Sequence, residues 1–298
     1  MTGGIGPRVR GATWPASRLA LIAAAAIGAA LLLIVAVNRW AVPSDEHAYW
    51  LAAQRLLAGQ PLYDPAAIPG TPYAYWYPPP LAQALAPLTA FVPDLGFTAA
   101  WTVLLVGCLA WLADRRLLVA LAMVAFVPVA IELWYRNVHL VLAVLVVLAL
   151  RRSVLFWILA AAIKVTPVVG VVYLAAARRY RDALLLAVVG GAVLAVSVAL
   201  SPGAWQQFVQ EVVVRGGTSG ASLIPVPFVI RFVLAAVLAA IGGRIGGRWG
   251  EVLLVVALVV GNPTLWMTAL SLLIAIVPLW RSSEVPASSS LPGACNMG

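Results

Sequence analysis

Apolar residues run in long blocks from Leu19 to Leu279, separated by short clusters of Arg, Gly and Pro. The blocks are continuous and do not alternate with period two, which excludes a strand barrel. A helix crosses ~30 Å of hydrocarbon in about 20 residues at 1.5 Å each. On that scale the pattern predicts spans over 18–37, 96–113, 117–134, 183–200, 226–241 and 264–280. Shorter apolar segments are predicted over 140–150 and 252–261, the second ending at Asn262-Pro263.

The stretch 153–177 is long enough for one span, but Lys164-Val165-Thr166-Pro167 interrupts it. Proline breaks or kinks a helix because it lacks a donor and its ring meets the preceding turn. Two short antiparallel helices folded at that point return the chain to the side it left. Arg178, Arg179 and Arg181 then share a side with Arg115-Arg116, Arg151-Arg152, Arg244 and Arg248. About ten segments result, so the expected fold is all-α, a polytopic membrane bundle.

Composition agrees. Residues are 63% hydrophobic and 10% charged, with mean hydropathy +1.01, whereas a soluble chain carries about a quarter charged residues. The net charge of +9 raises a nucleic-acid partner, but the arginines sit at segment ends, which is the positive-inside pattern beside anionic lipid. Cys108 and Cys295 have neither metal spacing nor a plausible disulfide. Residues 1–17 form a basic arm, and 18–37 read as an uncleaved signal anchor. Residues 18–281 form the membrane domain, 38–95 its large external loop, and 282–298 a disordered tail. Both termini are expected in the cytoplasm.

The loop holds the candidate chemistry. Ser44-Asp45-Glu46-His47 opens a helix that stops at Gly59. Acids in a first turn suit the helix dipole and are often only structural. Asp45, however, follows the first span by eight residues and shares a helix face with Tyr49, while Glu46 points elsewhere. A carboxylate at that surface can accept a proton from a hydroxyl. Tyr63, Tyr75 and Tyr77, interleaved with Trp76 and prolines, serve equally as an interfacial belt or as a wall for a sugar or lipid. Lys164 lies in an apolar helix pair, where a lysine either snorkels to the interface or meets a partner. Arg136 and Arg215 are further outward-facing cations, with Glu132 and Glu211 as possible partners.

The order Asp45, then Gly59-Gln60-Pro61-Leu62-Tyr63-Asp64, then Tyr75-Trp76-Tyr77-Pro78-Pro79, resembles glycosyltransferase family 87. Ala161 to Pro167 resembles the family's Lys-x-x-Pro element, and Asn262-Pro263-Thr264-Leu265-Trp266 its late Pro-x-x-Trp region. Arg136-Asn137-Val138-His139 falls where the family often has Gly-Gln-x-Asn, so Asn137 and His139 are imperfect matches. The resemblance spans about Pro43 to Arg281 and implies a GT-C-like bundle.

It further implies an inverting transfer of a hexose, mannose by analogy, from a polyprenyl-phosphate sugar to a glycolipid or glycan acceptor outside a bacterial plasma membrane. Asp45 is the implied general base. Glu46, Tyr49, Tyr63, Tyr75, Tyr77, Arg136, Asn137, His139 and Lys164 are the implied substrate-binding residues, with Lys164 facing the leaving phosphate. Membrane lipids are the other partners, and neither nucleic acid, metal nor cofactor is expected. The competing reading is a transporter or flippase, since broken helices also build transport sites. Against it, the polar residues gather on one side of the membrane rather than at its midplane.

Overall fold

The computed structural model describes residues 44–64, 74–215, 223–224, 226–263 and 265–282. The predicted first span, the basic arm and almost all of the tail lie outside them. Among the described residues the regular elements are all helical. They are α1 (Asp45–Leu57), α2 (Pro79–Thr89), α3 (Asp94–Leu112), α4 (Leu117–Ala125), α5 (Val127–Tyr135), α6 (His139–Arg151), α7 (Phe156–Ile163) and α8 (Val169–Ala176). There follow α9 (Tyr180–Leu200), α10 (Pro202–Gln207), α11 (Phe228–Ile245), α12 (Gly247–Val260) and α13 (Ile276–Ser282). A 3₁₀ turn (Thr166–Val168), a π segment (Phe208–Arg215) and a 3₁₀ helix (Met267–Ala275) complete the set.

Three of these, α3, α9 and α11, are long and apolar enough to cross a membrane. The most exposed is α9, with only 17% of its most apolar window buried inside the molecule. It presents Leu184, Val188, Val196 and Leu200 outward. Such a surface is stable against lipid and unstable against water.

The expected span over 117–134 is not one helix. α4 and α5 meet at 89°, with Phe126 in extended backbone between them. Pro128 in the first turn of α5 explains the break, since proline disrupts a helix continuing from α4. The last span also differs: its first part is the 3₁₀ helix. The tighter coil rises about 2.0 Å per residue and covers more depth with fewer residues.

Residues 153–177 form the expected hairpin. Lys164 is extended at φ −142°, ψ 150°, so the helix ends there, and the 3₁₀ turn at Thr166–Val168 leads into α8. Trp157 and Gly170, on opposite arms, face each other. A methyl on Gly170 would lie 2.9 Å from the indole, so the missing side chain makes room for the tryptophan.

α12 and the segment after it form a second hairpin. Its open end carries Trp249 against Trp280, ring centroids 5.0 Å apart, and Arg151 in a bidentate pair with Glu251. Its tip is Gly261-Asn262-Pro263. Gly261 packs on Thr166 of the first hairpin, where an added Cβ would meet Thr166 Cγ2 at 2.9 Å. The two tips therefore meet.

Above them lies a cap of α1 and α2, packed antiparallel. Gln54 donates to the Thr89 carbonyl at 2.8 Å and Trp50 to that of Val92 at 3.1 Å. Ser44 stands at the N-cap of α1 in extended backbone without a side-chain cap bond. Gly59, at φ +65°, ends α1 as expected. The Gln60 amide returns to the Arg55 carbonyl at 2.9 Å and that of Gly59 to Leu56 at 3.2 Å, the paired closure that favours glycine.

Candidate active site

The cap brings one carboxylate to the tips. Asp45, in the first turn of α1, accepts a hydrogen bond from Asn137 Nδ2. Asn137 sits in the turn between α5 and α6. Its Oδ1 accepts from its neighbour's amide at Val138 (2.7 Å) and from Tyr77 Oη (3.0 Å). Tyr49 Oη donates to Tyr77 Oη at 2.9 Å. Asp45 is thus oriented through an amide that is itself fixed on its far side. Burial pushes its carboxyl up to about 7, with the Glu132 charge adding to the rise and Asn137 and Lys164 opposing it.

The hairpin tip supplies a cation. Lys164 is 8% exposed. Its Nζ donates to Asn262 Oδ1 at 3.1 Å and lies 2.9 Å from His139 Nε2. It also stands 5.3 Å from the Tyr77 ring centroid. His139 Nδ1 is 2.9 Å from Glu132 Oε2. A carboxylate at Nδ1 calls for the proton there and leaves Nε2 as the acceptor for the ammonium. Glu132 Oε1 also accepts the backbone amides of His139 and Leu140 and so caps α6. Glu132, His139 and Lys164 therefore form one buried chain of opposite charges through a neutral ring. In the sequence Glu132 stands only as a partner for outward-facing cations. The signal available is an acid inside an apolar segment, which is expensive without a role.

Other expected site residues divide. Glu46 and Arg136 come together, Oε1 and Nε 2.7 Å apart, at 1% and 5% side-chain exposure. Thr98 Oγ1 donates to Glu46 at 3.2 Å. Arg136 is therefore not the outward-facing cation expected: a buried guanidinium beside a buried carboxylate is held by it. Its backbone is left-handed, φ 53°, a conformation uncommon without glycine. Trp101 Nε1 bonds its carbonyl at 2.9 Å. That turn is the one that aims Asn137 at Asp45. Glu46 points away from the Asp45 face, as the helix period requires.

Tyr63 and Tyr75 hold the loop rather than open space. Tyr63 Oη donates to the Tyr77 carbonyl at 2.6 Å and Tyr75 Oη to that of Pro78 at 3.0 Å. The Arg215 side chain lies outside the described part of the chain. Arg231, which no sequence motif singles out, is buried in α11 at 2% exposure. It donates to the carbonyls of Val226, Asn262 and Pro263, so it fixes the second tip and the amide facing Lys164.

Two clefts meet at Lys164 and Asn262. One is walled by Trp76, Pro78, Phe208 and Pro263. The other is lined by Leu142, Val146, Pro167, Leu258 and Leu272 and is apolar. Among the described residues no three His, Cys, Asp or Glu side chains gather as a metal-ligand set.

Apolar helices and broken helices, with ionisable groups buried where the breaks converge, define a helical membrane bundle with a polar centre. The chain belongs to glycosyltransferase family 87, whose family model matches residues 75–294. It is a membrane glycosyltransferase, acting on a sugar donor and an acceptor. The match begins at Tyr75, so Asp45, Tyr49 and Tyr63 precede it. No curated protein and no solved structure matches the chain.

Proposed function

We propose that the enzyme transfers a hexose, mannose by the family analogy, from a polyprenyl-phosphate donor to a lipid or glycan acceptor at the outer face of a bacterial plasma membrane, with inversion. One observation carries this reading: a carboxylate and an ammonium converge on a single tyrosine. Asp45 reaches Tyr77 through Asn137, whose Oδ1 takes the tyrosine hydroxyl. Lys164 stands over the ring of the same residue.

The acceptor hydroxyl gives its proton to Asp45, and its oxygen attacks the anomeric carbon. The bond from that carbon to the phosphate oxygen breaks, and its electron pair leaves with the polyprenyl phosphate. Lys164 offsets the negative charge gathered there. The lining of the cleft reaching Lys164 and Asn262 is apolar, in keeping with a hydrocarbon chain behind the phosphate.

Purified enzyme is incubated with polyprenyl-phosphate mannose and a glycolipid acceptor, and released polyprenyl phosphate is measured. Release dependent on acceptor is expected. Release from a nucleotide sugar alone, with none from the lipid donor, overturns the reading.

A further inference from the structure

The cleft beside Lys164 that Trp76 helps to wall has an asymmetric chemistry. The polar side chains that line it are Trp76, Lys164 and Asn262, and the rest are proline, valine and phenylalanine. The Asn262 acceptor, Oδ1, is already taken by Lys164. Its Nδ2 finds only His139 Nε2, at 3.4 Å, a lone pair that Lys164 approaches more closely at 2.9 Å. Trp76 Nε1 is buried and has no hydrogen-bond partner among the described residues. An orphaned buried indole donor is costly unless something accepts from it.

Three residues with N–H donors, Trp76, Lys164 and Asn262, therefore line one small space, and no residue with a carboxylate or hydroxyl side chain does. A sugar, with as many donors as acceptors, would leave its own hydroxyl protons unmatched there. A phosphate offers acceptors and no competing donors. We propose that Trp76 is a donor-binding residue whose indole N–H, with Lys164 and Asn262, binds the phosphate of the lipid-linked sugar in this cleft. This rests on the lipid-phosphate donor proposed above. It also assigns directions: the leaving group sits on the Trp76 side of Tyr77, and the acceptor approaches from the Asp45 side.

The test measures binding, not turnover. Farnesyl phosphate and farnesol are titrated into the detergent-solubilised full-length protein and into Trp76→Phe, which keeps an aromatic ring and loses the N–H. The wild type is expected to prefer the phosphate. Trp76→Phe is expected to weaken farnesyl phosphate about tenfold, the scale of one hydrogen bond to a charged group, and to leave farnesol unchanged.

If the wild type binds both ligands alike, the lipid-phosphate reading fails as a whole. If Lys164→Ala loses the preference while Trp76→Phe keeps full affinity, the role of Trp76 alone is overturned. Should Trp76→Phe fail to fold, the indole ¹⁵N–¹H resonances of the wild type decide. One resonance moving downfield with farnesyl phosphate and not with farnesol supports the contact, and none moving refutes it.

Discussion

Asp45 and Glu46 are adjacent acids with different surroundings, and their substitutions should separate accordingly. Asp45 is held by one amide and reaches the convergence point. Asp45→Asn should lower turnover about 10²- to 10⁴-fold, the usual worth of a general base, while donor binding and thermal stability persist. Glu46 is paired with Arg136 in the interior. Glu46→Gln strands that guanidinium, and breaking a buried pair destabilises by about 3–5 kcal/mol. Its signature is a large fall in melting temperature in detergent with smaller loss per folded molecule. The reverse pattern would exchange the two roles.

The Asp45 carboxyl, raised to about 7 by burial, also sets a pH dependence. Only the ionised form accepts a proton, so turnover should fall as pH drops through about 7 and level off above it. A profile flat from pH 5.5 to 8.5 would remove Asp45 from the rate-limiting step.

The hairpins are where sequence and structure can be compared element by element. The fold-back at Lys164 is legible because two independent signals agree: a proline three residues on, and an arginine cluster that one continuous span would put on the wrong side. The break at Phe126 has a proline too, Pro128, but a straight span there violates no charge rule, so the proline stands alone as a signal. Asn137 is legible only as an imperfect motif match. Its function depends on Asp45, 92 positions earlier, which no local pattern encodes. Arg231 is legible in principle, since a charged residue inside an apolar span marks a functional or structural site by default.

Packing between the arms is invisible in sequence except as glycine. Gly242 and Gly250 lie where α11 and α12 cross, and a Cβ on Gly250 would collide with the Gly242 carbonyl oxygen. No flexible side chain is there to yield. Gly250→Ala should destabilise by about 1–3 kcal/mol through overpacking, seen as a lower melting temperature. An unchanged value would mean that the two helices separate freely.

At the scale of the whole molecule the question is which face the reaction uses. α6 runs from His139, at the site, to Arg151, at the end carrying Glu251 and Trp280. Thirteen residues at 1.5 Å rise span roughly 20 Å, less than the ~30 Å of hydrocarbon. The site therefore lies about 20 Å along α6 from the end that carries Arg151, beneath the α1–α2 cap.

If Arg151 and Arg152 follow the positive-inside rule, the cap faces outward. Gln60, exposed just after α1, and Arg152, exposed just after α6, test this. Each is changed to cysteine with Cys295 replaced by serine; Cys108 is buried. A membrane-impermeant maleimide should label Gln60→Cys on intact cells and Arg152→Cys only after permeabilisation. The opposite pattern would turn the enzyme over and place sugar transfer on the cytoplasmic face, where the donor would have to be presented from within.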